Sequence, residues 1–286
     1  MGDLGRRVAV AGVGIPLGVG ILYMGGWILA GVVILLSTLG TLEVYRLAME
    51  RGWRPFRWAG VAASVALVVL AALTGNFVDW APWALGLFLL LAFGSLAGAV
   101  FRRGPDGDPL LAAGTTVLGV AYAGIPLAFA IFLRELPGDL ASGPGWTGAY
   151  LAMFPLVVTW MGDSAAYFTG KHLGSRRLLP SVSPKKTIEG GVGGLLGSTL
   201  GAMAFAALFL GPGDPTVLPL LAAALLGAVI GAVAQVGDLA ESVLKREAGV
   251  KDSGTILPGH GGVLDRFDAI YFTLPLSYAA FPFLLQ

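Results

Sequence analysis

"KDSGTILPGHGGVLDRFDAIYFTLPLSYAAFPFLL", residues 251–285, runs without a break from a charged, glycine-rich stretch into an apolar one. The first half carries Lys251, Asp252, His260, Asp265, Arg266 and Asp268, and from Ala269 to Leu285 there is no charge at all. At about 1.5 Å per residue, a helix from Leu264 onward is long enough to cross the ~30 Å hydrocarbon core of a bilayer. Read that way, the apolar half is a membrane span and the charged half is the loop that feeds it.

The rest of the chain fits the same solvent. Hydrophobic residues make up 56% and charged residues 12%, against roughly 25% charged in an average soluble domain, and the mean hydropathy is +0.81. Candidate spans fall at residues 8–24, 27–46, 57–74, 81–101, 110–133, 148–169, 191–210, 217–240 and 264–285. Only Gly25 and Gly26 separate the first two, and Pro126 is expected to kink the fifth. The opening "MGDLGRR" shows no small-residue cleavage site and reads as the start of a retained helix. The expectation is an all-α polytopic integral membrane protein with about nine transmembrane helices.

Charge gives the orientation. With the N-terminus in the cytoplasm and the C-terminus outside, all of the 18 Lys and Arg residues except Arg134 fall on the cytoplasmic side, as the positive-inside rule requires. Two large cytoplasmic loops result, "GKHLGSRRLLPSVSPKKTIEGG" between spans six and seven and the quoted stretch between eight and nine. The chain has no cysteine, so disulfides and thiolate chemistry are excluded, and with two distant histidines zinc is disfavoured.

Ionisable residues inside a span are costly and each needs a reason. In spans one to five Glu43 stands out, and a local ion pair with Arg46, three residues on, is the expected explanation. The last four spans differ. Asp163 and Asp238 lie roughly 20 and 27 Å along their helices at the standard rise, and Asp265 and Asp268 occupy the first turns of span nine, so carboxylates gather in the inner third of the membrane. Asp238, Glu241, Ser242 and Lys245 share one helical face, as do Asp265 and Asp268, and Asp163, Tyr167 and Lys171. Acids at one level repel unless cations lie between them. Carboxylate oxygens suit Mg²⁺, Mn²⁺ or Ca²⁺. Lys185, Lys186, Lys245, Arg246, Lys251 and Arg266 lie close by in the two loops. Carboxylate-held metal beside fixed positive charge is the inventory of phosphoryl or nucleotidyl transfer. "PGHGG" (258–262) just before a helix suits a close-approaching anion. "SPKKTIEGG" suggests a second such helix start, with Ser183 as N-cap and Pro184 at the first helical position.

Plainer readings compete. Asp265 or Asp268 alone could be a first-turn acid on a helix dipole, Arg51, Arg54, Arg102 and Arg103 serve topology, His260 taken by itself is an ordinary loop histidine, and the glycines of "GGVGGLLGS" (190–198) suit close helix packing.

Ser242–Asp268, "SVLKREAGVKDSGTILPGHGGVLDRFD", resembles the signature of the phosphatidate cytidylyltransferases, the CDP-diacylglycerol synthases. Ser242, Leu244, Lys245, Arg246, Lys251, Asp252, Gly254, Leu257, Pro258, His260, Gly261, Gly262, Val263, Asp265, Arg266, Phe267 and Asp268 all fit its pattern. "SPKKTIEGG" is similar to a second family segment, preceded by "GDSAAYFTGKHLG", in which Gly162 replaces a frequent Asn or Ala. The motifs cover residues 147–286, and residues 1–146 match by topology only, as scaffold, lipid groove or dimer contacts.

This resemblance implies conversion of CTP and phosphatidate to CDP-diacylglycerol and pyrophosphate, in a homodimer of the cytoplasmic (inner) membrane with its active site facing the cytoplasm. It implies Mg²⁺, with room for a second cation, divalent or K⁺, held by Asp238, Asp265 and Asp268. Lys185, Lys245, Arg246 and Lys251 would contact the triphosphate, and His260 would contact or orient a phosphate. Asp163, Ser183, Lys186, Thr187, Glu189, Ser242, Asp252, Gly261, Gly262 and Arg266 complete the expected substrate site. No nucleic-acid partner is expected. A CTP-dependent polyprenol or phytol kinase, a synthase acting on archaeal ether lipids, and an ion-coupled transporter are the alternatives; the last would show internal repeats and charge at the bilayer midplane, which this chain lacks.

Overall fold

The computed structural model describes residues 3–136, 145–211, 217–254 and 261–285, with side chains from residue 12 onward. Helices dominate: α1 (Asp3–Met24), α2 (Gly26–Glu50), α3 (Arg57–Thr74), α4 (Phe77–Arg102), α5 (Pro109–Gly119), α6 (Ile125–Glu135), α7 (Trp146–Leu173), α8 (Ile188–Phe209), α9 (Leu220–Glu247), α10 (Leu264–Phe267) and α11 (Ile270–Leu284). Among the described residues eight helical stretches are long and apolar enough to cross a membrane, and the apolar part of α1, Gly12–Met24, is a shorter ninth. The protein is an all-α polytopic membrane protein by composition and by fold. Large apolar side chains such as Leu90, Phe93, Phe101, Leu200 and Leu221 lie exposed on the helix surfaces, as lipid-facing residues do.

The fifth span is continuous from Pro105 to Glu135. Pro126 has no N–H to give the carbonyl of Tyr122, and the helix widens into a π turn over Val120–Gly124, where the Ile125 N–H reaches back to the Val120 carbonyl. The ninth span is divided: α10 ends at Phe267, a turn holds Asp268 and Ala269, and α11 resumes at Ile270.

The chain forms two compact units. The first comprises residues 1–132 and 244–267, the second 133–243 and 268–286. They interleave along the sequence because the motif-bearing segment 244–267 packs with the N-terminal helices. In the first unit α2 is central, packed on α3 and α5. Its buried side presents Leu29, Val33, Ser37, Thr41, Val44, Tyr45 and Ala48 at helical spacing. Polar seams join it to its neighbours. Thr41 and Ser64 share a hydroxyl hydrogen bond of 3.0 Å, and the Tyr45 hydroxyl donates to the Thr116 carbonyl at 2.7 Å. Trp80 packs edge-on against Phe132 at 5.3 Å.

In the second unit α7 and α8 form the most extensive helix pair, with α11 against α7. Phe154 meets Phe205 at 5.7 Å and Phe281 at 5.4 Å. Gly190, Gly193, Gly194 and Gly197 line the α7–α8 seam, where a methyl group on Gly193 would run into Thr169 and one on Gly194 would press on Ala166 at 3.1 Å, while Gly191 faces Gln235 of α9. Between the two helices lies an antiparallel hairpin, β1 (Arg177–Leu179) and β2 (Ser183–Thr187), with Arg177 opposite Thr187 and Leu179 opposite Ser183.

Candidate active site

The motif segment begins where α9 stops. Gly249 takes a left-handed φ of 72°, which ends the helix as a C-terminal glycine does, and turns the chain toward Lys251 and Asp252, both exposed. The chain returns at Gly261, whose φ is 79°. The residues that follow converge on one carboxylate. Asp265 Oδ1 accepts from Lys245 Nζ at 2.7 Å. Its Oδ2 accepts from the Ser253 N–H at 2.9 Å, the Ser253 hydroxyl at 2.9 Å and the Gly262 N–H at 2.8 Å. The Lys245 and Asp265 side chains are only 13% and 10% exposed, so this is a largely desolvated ion pair whose remaining lone pairs are met by hydrogen bonds, the condition under which such a pair holds.

A second carboxylate in the same unit belongs to α2. Glu43, 3% exposed, accepts from the Val263 N–H at 3.0 Å, the Leu264 N–H at 2.6 Å and the Ser253 hydroxyl at 3.2 Å. The expected pairing with Arg46 does not form; Arg46 lies 3.8 Å from Glu50 instead. The reason is geometric. Four residues on is the better-aligned neighbour for Arg46 on the helix surface, and Glu43 points to the buried side, where the first N–H groups of α10 lack helical partners. Those amides, expected to favour a bound anion, are held by a protein carboxylate.

The second unit holds its own charged cluster. Lys186, on β2, forms an ion pair with Asp238 on α9, and Asp163 on α7 lies within electrostatic reach of both. The expected Ser183 N-cap is corrected by the structure: residues 183–187 are a strand, and Thr187 caps α8, its Oγ1 accepting from the Gly190 N–H at 3.1 Å. Extended backbone before Pro184 is what the proline itself favours. Glu189, in the first turn of α8, accepts from the Ser175 hydroxyl at 2.6 Å and from the N–H groups of Ser175 and Arg176, which ties down the base of the hairpin. Lys185 is exposed on the hairpin and Arg177 reaches its carbonyl at 3.3 Å. Asp268 accepts from the neighbouring Ala269 N–H at 2.7 Å. Arg246 and Arg266 are exposed, Ser242 is half-buried, and His260 lies outside the described residues.

The structure thus gathers Lys245, Gly262 and Asp265 in one unit and Asp163, Lys186 and Asp238 in the other. Sequence reasoning missed Glu43, Ser253 and Gly254 as site residues. For Glu43 the signal was present, an acid in an otherwise apolar span, and an exposed local partner explained it away.

The donor set can be tested against a metal. The carboxylates offer hard oxygens alone, the chemistry Mg²⁺ prefers, and Asp238 and Asp265 each already bear an ammonium group where a small cation would bind. Among the described residues no three acidic or histidine side chains cluster closely enough to hold an ion by themselves. That leaves room for the arrangement usual for Mg²⁺, one or two carboxylates with water and substrate phosphate making up the rest.

Comparison with known proteins agrees with this chemistry. The chain is 33% identical to a phosphatidate cytidylyltransferase of Synechocystis sp. over 96% of its own length and 94% of that protein's. It is 32% identical to one from Staphylococcus haemolyticus over 90% of each chain, and 39% identical to one from Bacillus subtilis over 58% and 56%. The family description "Cytidylyltransferase family" matches residues 5–284, and with its membrane helices, paired lysines and carboxylates and full-length similarity, the chain belongs to the cytidylyltransferase family.

Proposed function

We infer that the chain transfers the cytidylyl group of CTP to phosphatidate, giving CDP-diacylglycerol and pyrophosphate. The observation that carries this reading is the Lys245–Asp265 pair, built entirely from residues of the 242–268 motif and held by two more of them, Ser253 and Gly262, in a chain similar along its whole length to proteins named for that reaction. In the reaction a phosphate oxygen of phosphatidate attacks the α-phosphorus of CTP. The new P–O bond forms as the bond to the bridging oxygen breaks, and pyrophosphate leaves with the electron pair. The attacking oxygen is already anionic, so no strong general base is needed and none is assigned.

Both substrates are anions, and the chain's own residues lower the repulsion between them. Lys185, Lys186, Lys245, Arg246 and Lys251 supply fixed positive charge for the triphosphate. Asp238, Asp265 and Asp268 would hold Mg²⁺. When bound, such an ion supplies neutralisation of charge on phosphate oxygens. We place the site at the cytoplasmic face of the inner membrane, where CTP arrives from the cytosol and phosphatidate laterally from the bilayer, in a homodimer.

The test is turnover of labelled CTP in membranes containing the chain. Label from the α-phosphate retained in lipid, dependent on added phosphatidate and lost with chelator, supports the reading. Label from the γ-phosphate in lipid means a kinase, and label in neither position means the chain is no CTP-dependent lipid enzyme. Asp265→Asn at saturating Mg²⁺ should abolish turnover while the protein stays folded; activity near wild type would remove Asp265 from the site.

A further inference from the structure

We propose that Glu43 is a positioning residue for Asp265, acting from α2 on the loop and helix start that hold that carboxylate. The proposal rests on the functional reading above, in which Asp265 takes part in the reaction. Glu43 is nine-tenths and more buried, and its three donors, two backbone N–H groups and a hydroxyl, carry no charge. Burying a carboxylate among neutral donors is expensive. A neutral Ser or Asn at the loop itself would satisfy a helix N-terminus more cheaply. What the distant carboxylate adds is a tie across 221 residues of sequence between the central helix of the first unit and Leu264, the residue directly before Asp265.

The same ligands serve both acids. Ser253 gives its N–H to Asp265, and its hydroxyl lies 2.9 Å from Asp265 and 3.2 Å from Glu43. A hydroxyl has one proton to donate, so the two carboxylates share it. Gly262 gives its N–H to Asp265 while its Cα faces Glu43; a methyl group built on Gly262 or Gly254 would strike the Glu43 carboxylate. These glycines are therefore required for the close approach of the loop to Glu43, whatever substrate also meets them. Glu43 fixes Ser253 on one side and Val263 and Leu264 on the other, and Asp265 hangs from the frame so made. Residues that orient a reacting group in this way typically cost about 10- to 100-fold in activity when altered.

The experiment uses the full-length chain in detergent or nanodiscs with labelled CTP and phosphatidate. Glu43→Gln keeps the shape and one acceptor oxygen but turns an amide toward a backbone N–H. It should lower kcat about 10- to 100-fold with little change in KM for CTP, and should speed hydrogen exchange in residues 261–267 while α7 and α8 exchange as before. Ser253→Ala should lower kcat in the same direction, and the double variant should lose less than the product of the two losses, because both act through one carboxylate. A Glu43→Gln protein with reduced thermal stability but wild-type kcat has only a structural residue at 43 and overturns the proposal. If that variant fails to fold, Glu43→Asp decides, since it keeps the charge but draws it back from the Val263 and Leu264 amides: wild-type kcat overturns the proposal, and reduced kcat with faster exchange in residues 261–267 sustains it. Asp265→Asn is measured alongside. Activity there would sink the functional reading of the site, whereas an inactive Asp265→Asn with an unimpaired Glu43→Gln would sink only the role of Glu43.

Discussion

Asp265 receives one ammonium and three neutral donors, so its two interactions of greatest interest can be separated by substitution. Lys245→Met removes the charge and leaves the hydroxyl and amide donors in place. The carboxylate then keeps its position but loses its counter-charge in a site only 10% exposed. If Lys245 neutralises phosphate charge during the transfer, turnover of α-labelled CTP should fall by about 10² to 10³, the usual loss on removing one preorganised donor, while the loop around Ser253 stays protected from hydrogen exchange. Tyr45 offers a control in the same unit. Its hydroxyl donates to the Thr116 carbonyl at 2.7 Å, a bond between α2 and α5. Tyr45→Phe should cost about 1 kcal/mol of stability, the net worth of a typical buried hydrogen bond, seen as a lower unfolding temperature in detergent with unchanged kcat. The motif residues of this site were readable because their spacing is local: Lys245, Gly262 and Asp265 lie within one short segment. Glu43 was not, because a hydrogen bond between residues 221 apart leaves no mark on the local pattern of either partner, and a nearby arginine offered a simpler story.

Helix α8 shows how much a glycine means depends on its neighbour. A methyl group on Gly193 would lie 2.5 Å from the Thr169 Cβ, whereas one on Gly86 in α4 meets nothing within 4 Å. Gly193→Ala should therefore push α7 and α8 apart and lower the unfolding temperature, at a cost of about 1–3 kcal/mol for overpacking. Gly86→Ala should be neutral or stabilising, since alanine is favoured over glycine in a helix interior by ~1 kcal/mol. Thermal unfolding of both variants in the same detergent checks the contrast, and equal effects would mean the seam is not close-packed. The packing role of residues 190–198 was legible in advance, because small residues repeated along an apolar helix are the mark of close approach. The hairpin just before them was not. Ser183 and Pro184 carry a helix-start signal, yet Thr187 provides the working cap at 3.1 Å, and among the described residues the two short strands, three and five residues long, form a two-stranded sheet, so neither shows the long alternation by which a strand is recognised.

At the scale of the whole molecule, hydropathy alone located eight of the nine expected spans, because a bilayer demands that a crossing segment be both long and apolar; the first, residues 8–24, corresponds among the described residues only to the shorter apolar stretch Gly12–Met24. The pattern could not show that the chain packs as two interleaved units, with residues 244–267 joining the N-terminal helices; that depends on which faces meet, and burial in lipid and burial in protein look alike in composition. Orientation rests on charge, and the lone exception to the cytoplasmic bias is informative. Arg134 is fully buried, packed where a methyl group on Gly148 would meet its guanidinium at 2.7 Å, so it is not a loop charge of the kind that sets topology. Because the chain has no cysteine, any introduced thiol is its only one, and orientation can be read directly. Asp79, exposed in the first turn of α4, is expected outside, and Ser181, exposed at the hairpin turn, is expected in the cytoplasm. In intact cells a membrane-impermeant maleimide should label Asp79→Cys and spare Ser181→Cys until the membrane is opened. The reverse pattern would put the hairpin lysines, Lys185 and Lys186, on the face that CTP cannot reach, and the proposed site would then lose them as triphosphate contacts.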